Sequence, residues 1–284
     1  MYEYNSTDTA GFTPICSGAG SSCNWSLPAD TYNITVRCKV QDNVGYNSSW
    51  AAITFPGIDN TAPVTTIIQP QNSTNISAST YIVNASITDH PGIGVSTAVF
   101  DYRVGDGGWN NICTITGSPY NCTWSLAALP DHNQYQVRAR ANDTLGNLGE
   151  YDYAINITID RQGPVSALLH PSSLENISAD MSYVNATISD LYSEVSTAMF
   201  YFRESPAHDW KSICTAAGPY NCSWNLSGYE DSGAYQVRVN ANDSLGNIGA
   251  YSTSTGIIVD RTGPAIYLEK PQDSTWSPGN AVFY

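Results

Sequence analysis

Apolar and polar residues alternate along most of the chain with the period of two that half-buried β-strands show. Between residues 61 and 161 this alternation predicts six strands, which Gly, Pro, Asn and Asp residues separate. The predicted inward faces of its three clearest strands are Tyr81, Val83, Ala85 and Ile87, then Tyr135, Val137, Ala139 and Ala141, and last Tyr153, Ile155, Ile157 and Ile159. No segment keeps a helical period, so the pattern predicts an all-β protein.

Landmarks of different kinds recur at intervals of about 100 residues, which indicates an internal repeat. Asp59, Asp160 and Asp260 each stand four residues before a proline, at steps of 101 and 100 residues. Two further motifs keep this register: Cys-x-Trp, which ends at Trp25, Trp124 and Trp224, and Asp-x-x-Gly, which begins at Asp42, Asp143 and Asp243. About seven strands in about 100 residues is the size of an immunoglobulin-like (Ig-like) β-sandwich.

The repeats predict two complete and two partial Ig-like β-sandwich domains in tandem. Residues 1–60 are the C-terminal part of one domain, and residues 61–161 and 162–261 are whole domains. Residues 262–284 are the N-terminal part of a further domain. We call the first three segments the first, second and third repeat.

The phase of the repeats leads to an expectation about partners. Tyr4 and Phe202 both lie 12 residues before a cysteine, so the first repeat begins at the third strand of a sandwich. A partial sandwich leaves strand edges and core residues uncovered. We therefore expect residues 264–284 of one copy to complete the first repeat of the next, end to end, or the chain to continue into a longer repeat array.

In each repeat one tyrosine opens the predicted penultimate strand. Tyr32, Tyr135 and Tyr235 stand where Ig-like folds often place a tyrosine corner, whose hydroxyl bonds to nearby backbone. We predict that these tyrosines and the recurring tryptophans pack in the domain cores.

Six of the seven cysteines form one closely spaced pair in each repeat, around a predicted turn. We predict three local disulfides, which join Cys16 to Cys23, Cys113 to Cys122 and Cys214 to Cys222. The competing interpretations are metal ligation and redox chemistry, but no histidine stands at a fixed spacing to complete a zinc site. Disulfides indicate an oxidising compartment. Cys38 aligns with the inward Ala139 and is predicted to be a buried free thiol, with pairing to another chain as the alternative.

Sequons of the form Asn-x-Ser/Thr occupy 15 of the 24 asparagines. Because Ser and Thr make up about a fifth of the chain, chance predicts about five sequons. Asn84, Asn142 and Asn156 lie next to inward apolar residues and so point outward, where a bulky glycan fits. We predict heavy N-glycosylation; the alternative is an Asn- and Thr-rich surface that is never modified. The sequons are Asn5, Asn24, Asn33, Asn47, Asn72, Asn75, Asn84, Asn121, Asn142, Asn156, Asn176, Asn185, Asn221, Asn225 and Asn242.

Composition excludes several classes of partner. The 284 residues carry a formal net charge of −14, so a nucleic-acid ligand is not expected. The sequence has no polybasic stretch and no run of 18 apolar residues, so direct membrane insertion is not expected either. The start, Met1 to Tyr4, lacks the basic and apolar regions of a signal peptide.

Candidate chemistry is limited to calcium. The four histidines occupy unrelated positions and no catalytic motif is present, so we predict no enzymatic activity and no catalytic residues. Aspartates that recur at junctions and turns are candidate calcium ligands: Asp89, Asp160, Asp190 and Asp260, with Asp143 and Asp243 in the recurring turn. Calcium takes six to eight oxygens, and each junction offers only a few. The alternative is that Asp143 and Asp243 cap their turns and that no cofactor binds.

Three recurring motifs carry a resemblance to a known group of proteins. The junction Asp-x-Thr/Gln-Gly/Ala-Pro, the strand Tyr-x-Val-x-Ala and the turn Asn-Asp-Thr/Ser-Leu-Gly-Asn resemble tandem Ig-like repeats of prokaryotic surface proteins. The sequon density is most similar to archaeal S-layer-type and adhesin-type proteins. Many such repeats are poor in cysteine, and this chain departs from that pattern.

The resemblance implies a structural or adhesive role outside the cell or on its surface. We expect a segment or subunit of a glycosylated extracellular filament or surface layer. The alternatives are the stalk of a cell-surface adhesin and an accessory module of a secreted polysaccharide-active enzyme. Coplanar exposed aromatic residues on one sheet face would favour the last alternative.

Overall fold

A computed structural model of the chain describes residues 1–6, 10–17, 22, 24–26, 30–89 and 94–267. The predicted fourth segment, residues 262–284, therefore lies mostly outside the described residues. The chain forms two compact units, Met1–Arg161 and Gln162–Tyr284. The first unit contains the first and second repeats, and the second unit contains the third repeat.

The second repeat is a β-sandwich of two sheets. Its eight strands are β5 (Val64–Gln69), β6 (Asn75–Ile76), β7 (Thr80–Thr88), β8 (Val95–Val104), β9 (Asn110–Ile115), β10 (Asn121–Ser125), β11 (His132–Asp143) and β12 (Asp152–Ile159). One sheet has the order β10-β7-β5, and the other has the order β6-β12-β11-β8-β9. Neighbouring strands are antiparallel except for the parallel pair β6–β12. The prediction of tandem Ig-like sandwiches is confirmed.

The third repeat has the same topology. Its strands are β13 (Val165–His170), β14 (Asn176–Ile177), β15 (Met181–Ser189), β16 (Val195–Arg203), β17 (Lys211–Ala216), β18 (Asn221–Asn225), β19 (Ser232–Asp243) and β20 (Ser252–Val259). Its sheets have the orders β13-β15-β18 and β14-β20-β19-β16-β17.

A buried aromatic group occupies the centre of each complete sandwich. In the second repeat Trp124 lies 5.3 Å from Tyr102 and 5.9 Å from Tyr135, measured between ring centroids. In the third repeat Trp224 packs in the same way against Phe202 and Tyr235. Alternation explains this arrangement, because every second residue of a strand points toward the opposite sheet.

Both complete repeats contain the predicted tyrosine corner. The Tyr135 hydroxyl donates to the Pro130 carbonyl at 2.7 Å, and the Tyr235 hydroxyl donates to the Glu230 carbonyl at 2.8 Å. Burial, reinforced by the nearby negative charge of Glu204, raises the pKa of Tyr235 to about 12. The buried hydroxyl therefore stays protonated and remains a donor at physiological pH.

In the first repeat, strand register gives the corner position to a different residue. Tyr4 pairs with Val36, as Tyr102 pairs with Val137, so Ile34 and not Tyr32 occupies the place of Tyr135. Ile34 is fully buried. The sequence alignment was wrong at Tyr32 because it matched the tyrosines themselves and not the strand register.

The prediction of the inward face of β12 was also wrong for the first half of the strand. Tyr153 and Ile155 are 48% and 41% exposed, whereas Ala154 is buried. Asn156 adopts a left-handed conformation with φ of 58°, and the pairing of β11 with β12 shifts register beside it. The bulge exchanges the inner and outer phases of the strand. Ile157 and Ile159 keep the inward position that alternation predicted.

The first repeat forms a single four-stranded antiparallel sheet among the described residues. Its strands are β1 (Tyr2–Asn5), β2 (Thr13–Cys16), β3 (Thr31–Cys38) and β4 (Ala51–Ile58), in the order β2-β1-β3-β4. This sheet corresponds to the larger sheet of a complete repeat, as its pairings show.

A glycine after the recurring turn permits a close approach of two backbone segments. A Cβ atom at Gly249 would lie 1.9 Å from the Pro164 carbonyl oxygen, and one at Gly149 would lie 2.3 Å from the Pro63 oxygen. Backbone atoms cannot rotate away as a side chain can. Only glycine therefore fits at these two positions without a shift of the chain.

Replacing Gly249 with alanine is expected to lower the free energy of unfolding of the third repeat by about 1–3 kcal/mol, because the new methyl group overlaps backbone atoms. Thermal unfolding of the full chain measures the change. Gly228→Ala is the matched control, since no atom lies within 4 Å of the added Cβ there. Equal melting temperatures for the two variants would contradict the expectation.

Candidate functional site

Part of the inner face of the first sheet is exposed among the described residues. Ile53 pairs with Val36, as Ala154 pairs with Val137 in the second repeat. Yet Ile53 is 68% exposed, whereas Ala154 is 2% exposed. In the complete repeats a three-stranded sheet covers this face. The first sheet therefore presents half of a hydrophobic core to the surroundings.

Two further inner positions show the same difference, whereas Ile34 is buried and Tyr4 packs on Trp25. Tyr2 and Cys38 are directly paired and only half-buried. Their counterparts in the second repeat, Phe100 and Ala139, are fully buried. We call the inner face lined by Tyr2, Val36, Cys38 and Ile53 the open face.

Cys38 is a free thiol on the open face. Its alignment with Ala139 is confirmed by the strand pairing, but it is half-buried, so the prediction of a buried thiol was wrong in degree. The physical reason is that the described residues cover this part of the sheet face less than in the complete repeats.

Two of the three predicted disulfides are present in the described residues, between Cys113 and Cys122 and between Cys214 and Cys222. Each joins an edge strand of the larger sheet to an edge strand of the smaller sheet, as the strand orders show. Cys16 is also disulfide-bonded, while its predicted partner Cys23 lies outside the described residues. The bonds therefore fasten the two layers of each complete sandwich together at one side.

The sequon asparagines lie on exposed or half-buried positions, as their outward phase predicts. Ten are exposed: Asn24, Asn33, Asn47, Asn72, Asn75, Asn121, Asn156, Asn176, Asn221 and Asn225. Five are half-buried: Asn5, Asn84, Asn142, Asn185 and Asn242. All of the sequons thus retain some contact with solvent.

The side chains of two half-buried sequons take part in hydrogen bonds that recur. Asn142 donates from Nδ2 to the Asp143 carbonyl at 3.0 Å, and its Oδ1 accepts from the Thr97 hydroxyl. Asn242 accepts from Thr197 in the same way. A glycan would be attached at the Nδ2 atom. In the folded chain the Asn142 Nδ2 atom is instead hydrogen-bonded to the backbone.

Three carboxylates of the first unit converge into an acidic cluster, Asp59, Asp89 and Asp143, with one oxygen of each within 4.8 Å of the others. Asp59 and Asp143 are buried, and Asp89 is half-buried. The Asp89 Oδ2 accepts from the Gly94 N–H at 3.2 Å, while its buried Oδ1 has no hydrogen-bond partner. Hard cations such as Ca²⁺ bind carboxylate oxygens, so within the described part of this unit these three residues could hold a metal ion.

The environment of the acidic cluster shifts two pKa values in opposite directions. Burial raises the pKa of Asp89, and the negative charges of Asp59 and Asp143 raise it further. Burial alone would also raise the pKa of Asp143, but hydrogen bonds from the Asn147 side chain and backbone hold it below its usual value. Asp143 therefore caps its turn as a carboxylate, whereas the negative charges of its neighbours destabilise the charged form of Asp89.

The other predicted calcium candidates differ in burial. Asp190 caps a turn by accepting from the Ser193 N–H at 2.9 Å, and the Ser193 hydroxyl also donates to Asp243. Asp160 is buried at the end of the first unit, and Asp260 is exposed and accepts from the Thr262 N–H. Asp59 was not among the predicted calcium ligands, although its repeat equivalents Asp160 and Asp260 were. The recurrence of Asp59 in register with Asp160 and Asp260 was the sequence signal that could have identified it as a candidate.

Replacing Asp89 with asparagine is expected to raise the melting temperature at pH 7 without added metal, because it removes a repelled charge. A raised folded-state pKa gives stability that is present below the unfolded pKa and is lost as pH rises through the folded pKa. The benefit of Asp89→Asn should therefore vanish well below pH 4. Asp106→Asn, in an exposed turn, is the control.

The melting temperatures are also measured with added calcium. If the acidic cluster binds calcium, the ion raises the melting temperature of the wild-type chain more than that of Asp89→Asn. A wild-type melting temperature that neither EDTA nor calcium changes would count against a metal site.

The fold and these features define a protein of tandem Ig-like β-sandwich domains. The family model described as a bacterial Ig domain matches residues 63–139, which lie in the second repeat. This fold typically forms non-catalytic structural domains. Together with the disulfides, the match indicates an extracellular domain. Within the described residues no helix has the length and apolar character needed to cross a membrane.

Several solved structures are similar to the chain. The FN1-FN3 domains of chicken CNTN1 share 14% identity, with 90% of this chain and 88% of that chain covered and a TM-score of 0.38. A tetra-tandem repeat from the extending region of a large adhesion protein shares 19% identity over 92% and 66% of the two chains, with a TM-score of 0.34. The chicken interferon gamma receptor alpha chain shares 14% identity over 70% and 100%, with a TM-score of 0.28. No curated protein sequence matches the chain.

Proposed function

We propose that the chain is a structural segment of a glycosylated extracellular filament or surface layer, of the S-layer type. In this assembly, strands of another Ig-like repeat cover the open face. The repeat is supplied by a further copy placed end to end or by a continuation of the same repeat array. The observation that carries the proposal is the exposure of Ile53 at a position that is buried in a complete repeat.

The open face has the chemistry that such an occupant requires. Its exposed residues are apolar and alternate with polar residues, so a second sheet with the same alternation would bury them. Burying Ile53 removes an apolar side chain from water and contributes about 1.5–3 kcal/mol to assembly.

Ser48 limits which chain segment can cover the open face. Its N–H donates to the Val40 carbonyl at 2.8 Å, as that of Gly249 donates to Ala241 at 2.9 Å. Ser48 thus carries a Cβ atom where the complete repeats have glycine against a proline carbonyl. A strand led by Pro264 of another copy would meet that Cβ atom unless the backbone shifts.

The test compares Ile53→Asp with the wild-type chain by electron microscopy and sedimentation. Because Ile53 is exposed in the single chain, the aspartate leaves its fold unchanged but places a charge in the joint. We expect long, end-to-end particles for the wild-type chain and isolated short rods for the variant. Leu145→Asp, at an exposed turn of the second repeat, is the control that leaves assembly unchanged.

Cys38 provides an internal probe of the same joint. Maleimide labelling of Cys38 should be rapid in isolated chains and slow in assemblies, since the occupant covers the open face. Isolated short rods of wild-type material, with Cys38 equally reactive at all concentrations, would overturn the proposal. Ser48→Gly identifies the occupant: the variant promotes assembly if residues 264–284 of a neighbouring copy dock there, and has no effect if another repeat segment does.

Native material is expected to have a mass above the 30.6 kDa of the bare chain, because the sequons face solvent. The structure also predicts which sites are occupied. The exposed Asn47 and Asn176 should carry glycan, whereas Asn142 should be bare because its Nδ2 bonds to the backbone. Mass spectrometry of glycopeptides measures each site. An intact mass of the bare chain would contradict glycosylation as a whole, and an occupied Asn142 would contradict the predicted order.

A further inference from the structure

An arginine stacked between aromatic rings recurs on the outer face of the larger sheet in each repeat. In the first repeat Arg37 lies 3.5 Å from the centroid of Phe12 and 4.1 Å from that of Trp50. In the complete repeats Arg138 lies between Trp109 and Tyr151, and Arg238 lies between Trp210 and Tyr251. The four distances are 4.2, 3.8, 4.1 and 3.9 Å. The rings cover both faces of the guanidinium, so only its edge is left for hydrogen bonds.

In the first two repeats that edge binds a carboxylate from the neighbouring strand. Glu3 pairs directly with Arg37 across the sheet and accepts from its guanidinium at 2.7 Å. Asp101 pairs directly with Arg138 and accepts from its Nε at 3.0 Å. The protein itself therefore shows which ligand this stacked arginine takes.

The third repeat lacks that carboxylate. Tyr201 stands directly opposite Arg238, at the position of Asp101. Among the residues that the structure describes, no carboxylate forms an ion pair with Arg238, and its buried Nε has no hydrogen-bond acceptor. A cation that is half-buried and without an acceptor favours binding of an external anion.

Two neighbouring differences open the surface beside Arg238. In the second repeat Arg140 covers Tyr151 at 4.3 Å, but the equivalent residue in the third repeat is Asn240. Tyr251 is accordingly 47% exposed, while Tyr151 is half-buried. Thr253 also replaces the bulkier Tyr153. The third repeat thus combines an exposed ring face with a guanidinium whose charge no carboxylate of the described residues neutralises.

Asn240 supplies a second unsatisfied polar group on the same face. It lies two residues after Arg238 on β19 and is only 4% exposed, yet its Oδ1 accepts no hydrogen bond. A buried acceptor without a donor is costly, and a hydroxyl group delivered by a ligand or through a water molecule would satisfy it.

We propose that the third repeat binds an acidic sugar, a hexuronic acid residue, at the surface formed by Arg238, Tyr251 and Asn240. The carboxylate pairs with the Arg238 guanidinium, in the role that Asp101 has toward Arg138 in the second repeat. The sugar ring lies against the exposed face of Tyr251, and its hydroxyl groups reach toward Asn240. A site with an aromatic wall and a few placed polar groups is typical of small-ligand recognition. This inference does not depend on the assembly proposed above.

The experiment titrates the full chain with tetragalacturonate and with its methyl ester, by NMR or calorimetry at low ionic strength. We expect saturable binding of the acid. The ester should bind at least about tenfold more weakly, since it lacks the charge that Arg238 recognises. Raising the salt concentration should weaken binding of the acid and leave the ester unaffected.

Three variants assign the binding to this surface. Tyr201→Asp supplies the carboxylate found in the second repeat and should weaken binding at least about tenfold without loss of fold. Asn240→Arg should weaken it by covering Tyr251. Tyr183→Ala, an exposed aromatic residue on the other sheet, is the control that leaves binding unchanged.

A gain of function gives a further test that does not depend on loss of binding. The triple variant Asp101→Tyr, Arg140→Asn and Tyr153→Thr recreates the proposed surface in the second repeat and should raise the number of sites from one to two. Absence of binding to tetragalacturonate, equal binding of acid and ester, or binding that Tyr201→Asp leaves unchanged would each overturn the proposal.

Discussion

Replacing Arg161 with alanine is expected to lower the free energy of unfolding of the second repeat by about 2–4 kcal/mol. Arg161 follows the last strand of that repeat and ties it to the loop before β11. Its Nε donates to Asp131 at 2.8 Å, and its Nη1 donates to the Leu126 carbonyl at 2.7 Å. Its Nη2 donates to the Leu129 carbonyl. Truncation leaves these acceptors partly buried without a donor, which costs more than the bonds contributed.

Hydrogen exchange of the β11 amides in the full chain measures this loss for the second repeat alone. Arg161→Lys is the graded comparison, because a lysine keeps the charge but cannot reach three acceptors in one plane. We expect its effect to lie between the wild type and alanine. Protection factors for Arg161→Ala that match the wild type would show that the contacts contribute nothing.

The equivalent Arg261 makes a pH-dependent contribution to the third repeat. Hydrogen bonds from the Arg261 backbone and guanidinium, with one from Thr262, hold the pKa of Asp231 below its usual value. A lowered folded-state pKa gives stability that is present above the unfolded pKa, about 4, and is lost as pH falls through the folded pKa. Arg261→Ala should therefore reduce stability more at pH 7 than in strong acid, where only its bonds to the Leu226 and Tyr229 carbonyls are lost.

Removing the Cys214–Cys222 disulfide by a double replacement with serine is expected to destabilise the third repeat by about 2–3 kcal/mol. The bond closes a loop between cysteines eight residues apart and joins β17 to β18. Without it, the unfolded chain gains conformations that the loop forbids. For a domain of about 100 residues this corresponds to a fall in melting temperature of about 10 °C or more.

Cys38→Ser is the matched control, since it removes a sulfur atom without opening a disulfide. Thermal unfolding with and without a reducing agent separates the two cases: reduction should destabilise the wild type and Cys38→Ser equally. A double variant that melts with the wild type would contradict a stabilising role for the bond.

The sequence predicted the strands well where alternation was uninterrupted. Val64–Gln69 was placed correctly, because Pro63 and Pro70 flank the segment and a proline rarely continues a strand. The inward face of β11 was equally clear, since Tyr135, Val137 and Ala139 alternate without a break. The prediction failed on β12, where the left-handed Asn156 inserts a bulge that a period-two pattern does not contain.

The candidate sites were predictable only in part. Cysteine spacing was sufficient for the disulfides within the complete repeats, because short local loops leave few partners. The open face was foreseen from the phase of the repeats. The site at Arg238 was not foreseen, because it depends on Tyr201, a residue 37 positions away that the sheet places directly opposite Arg238. A comparison of aligned repeats shows the difference, but only strand register shows that the two residues meet.

The sequence by itself determined the repeat, the all-β class and the sheet faces, because these depend on local periodicity. The tertiary structure decided which carboxylates converge, which arginine lacks its acceptor and which residues of the open face stay exposed. These outcomes depend on contacts between residues far apart in the chain. A one-residue change of register, as at Tyr32 and Ile34, reassigns such contacts while leaving the local pattern the same.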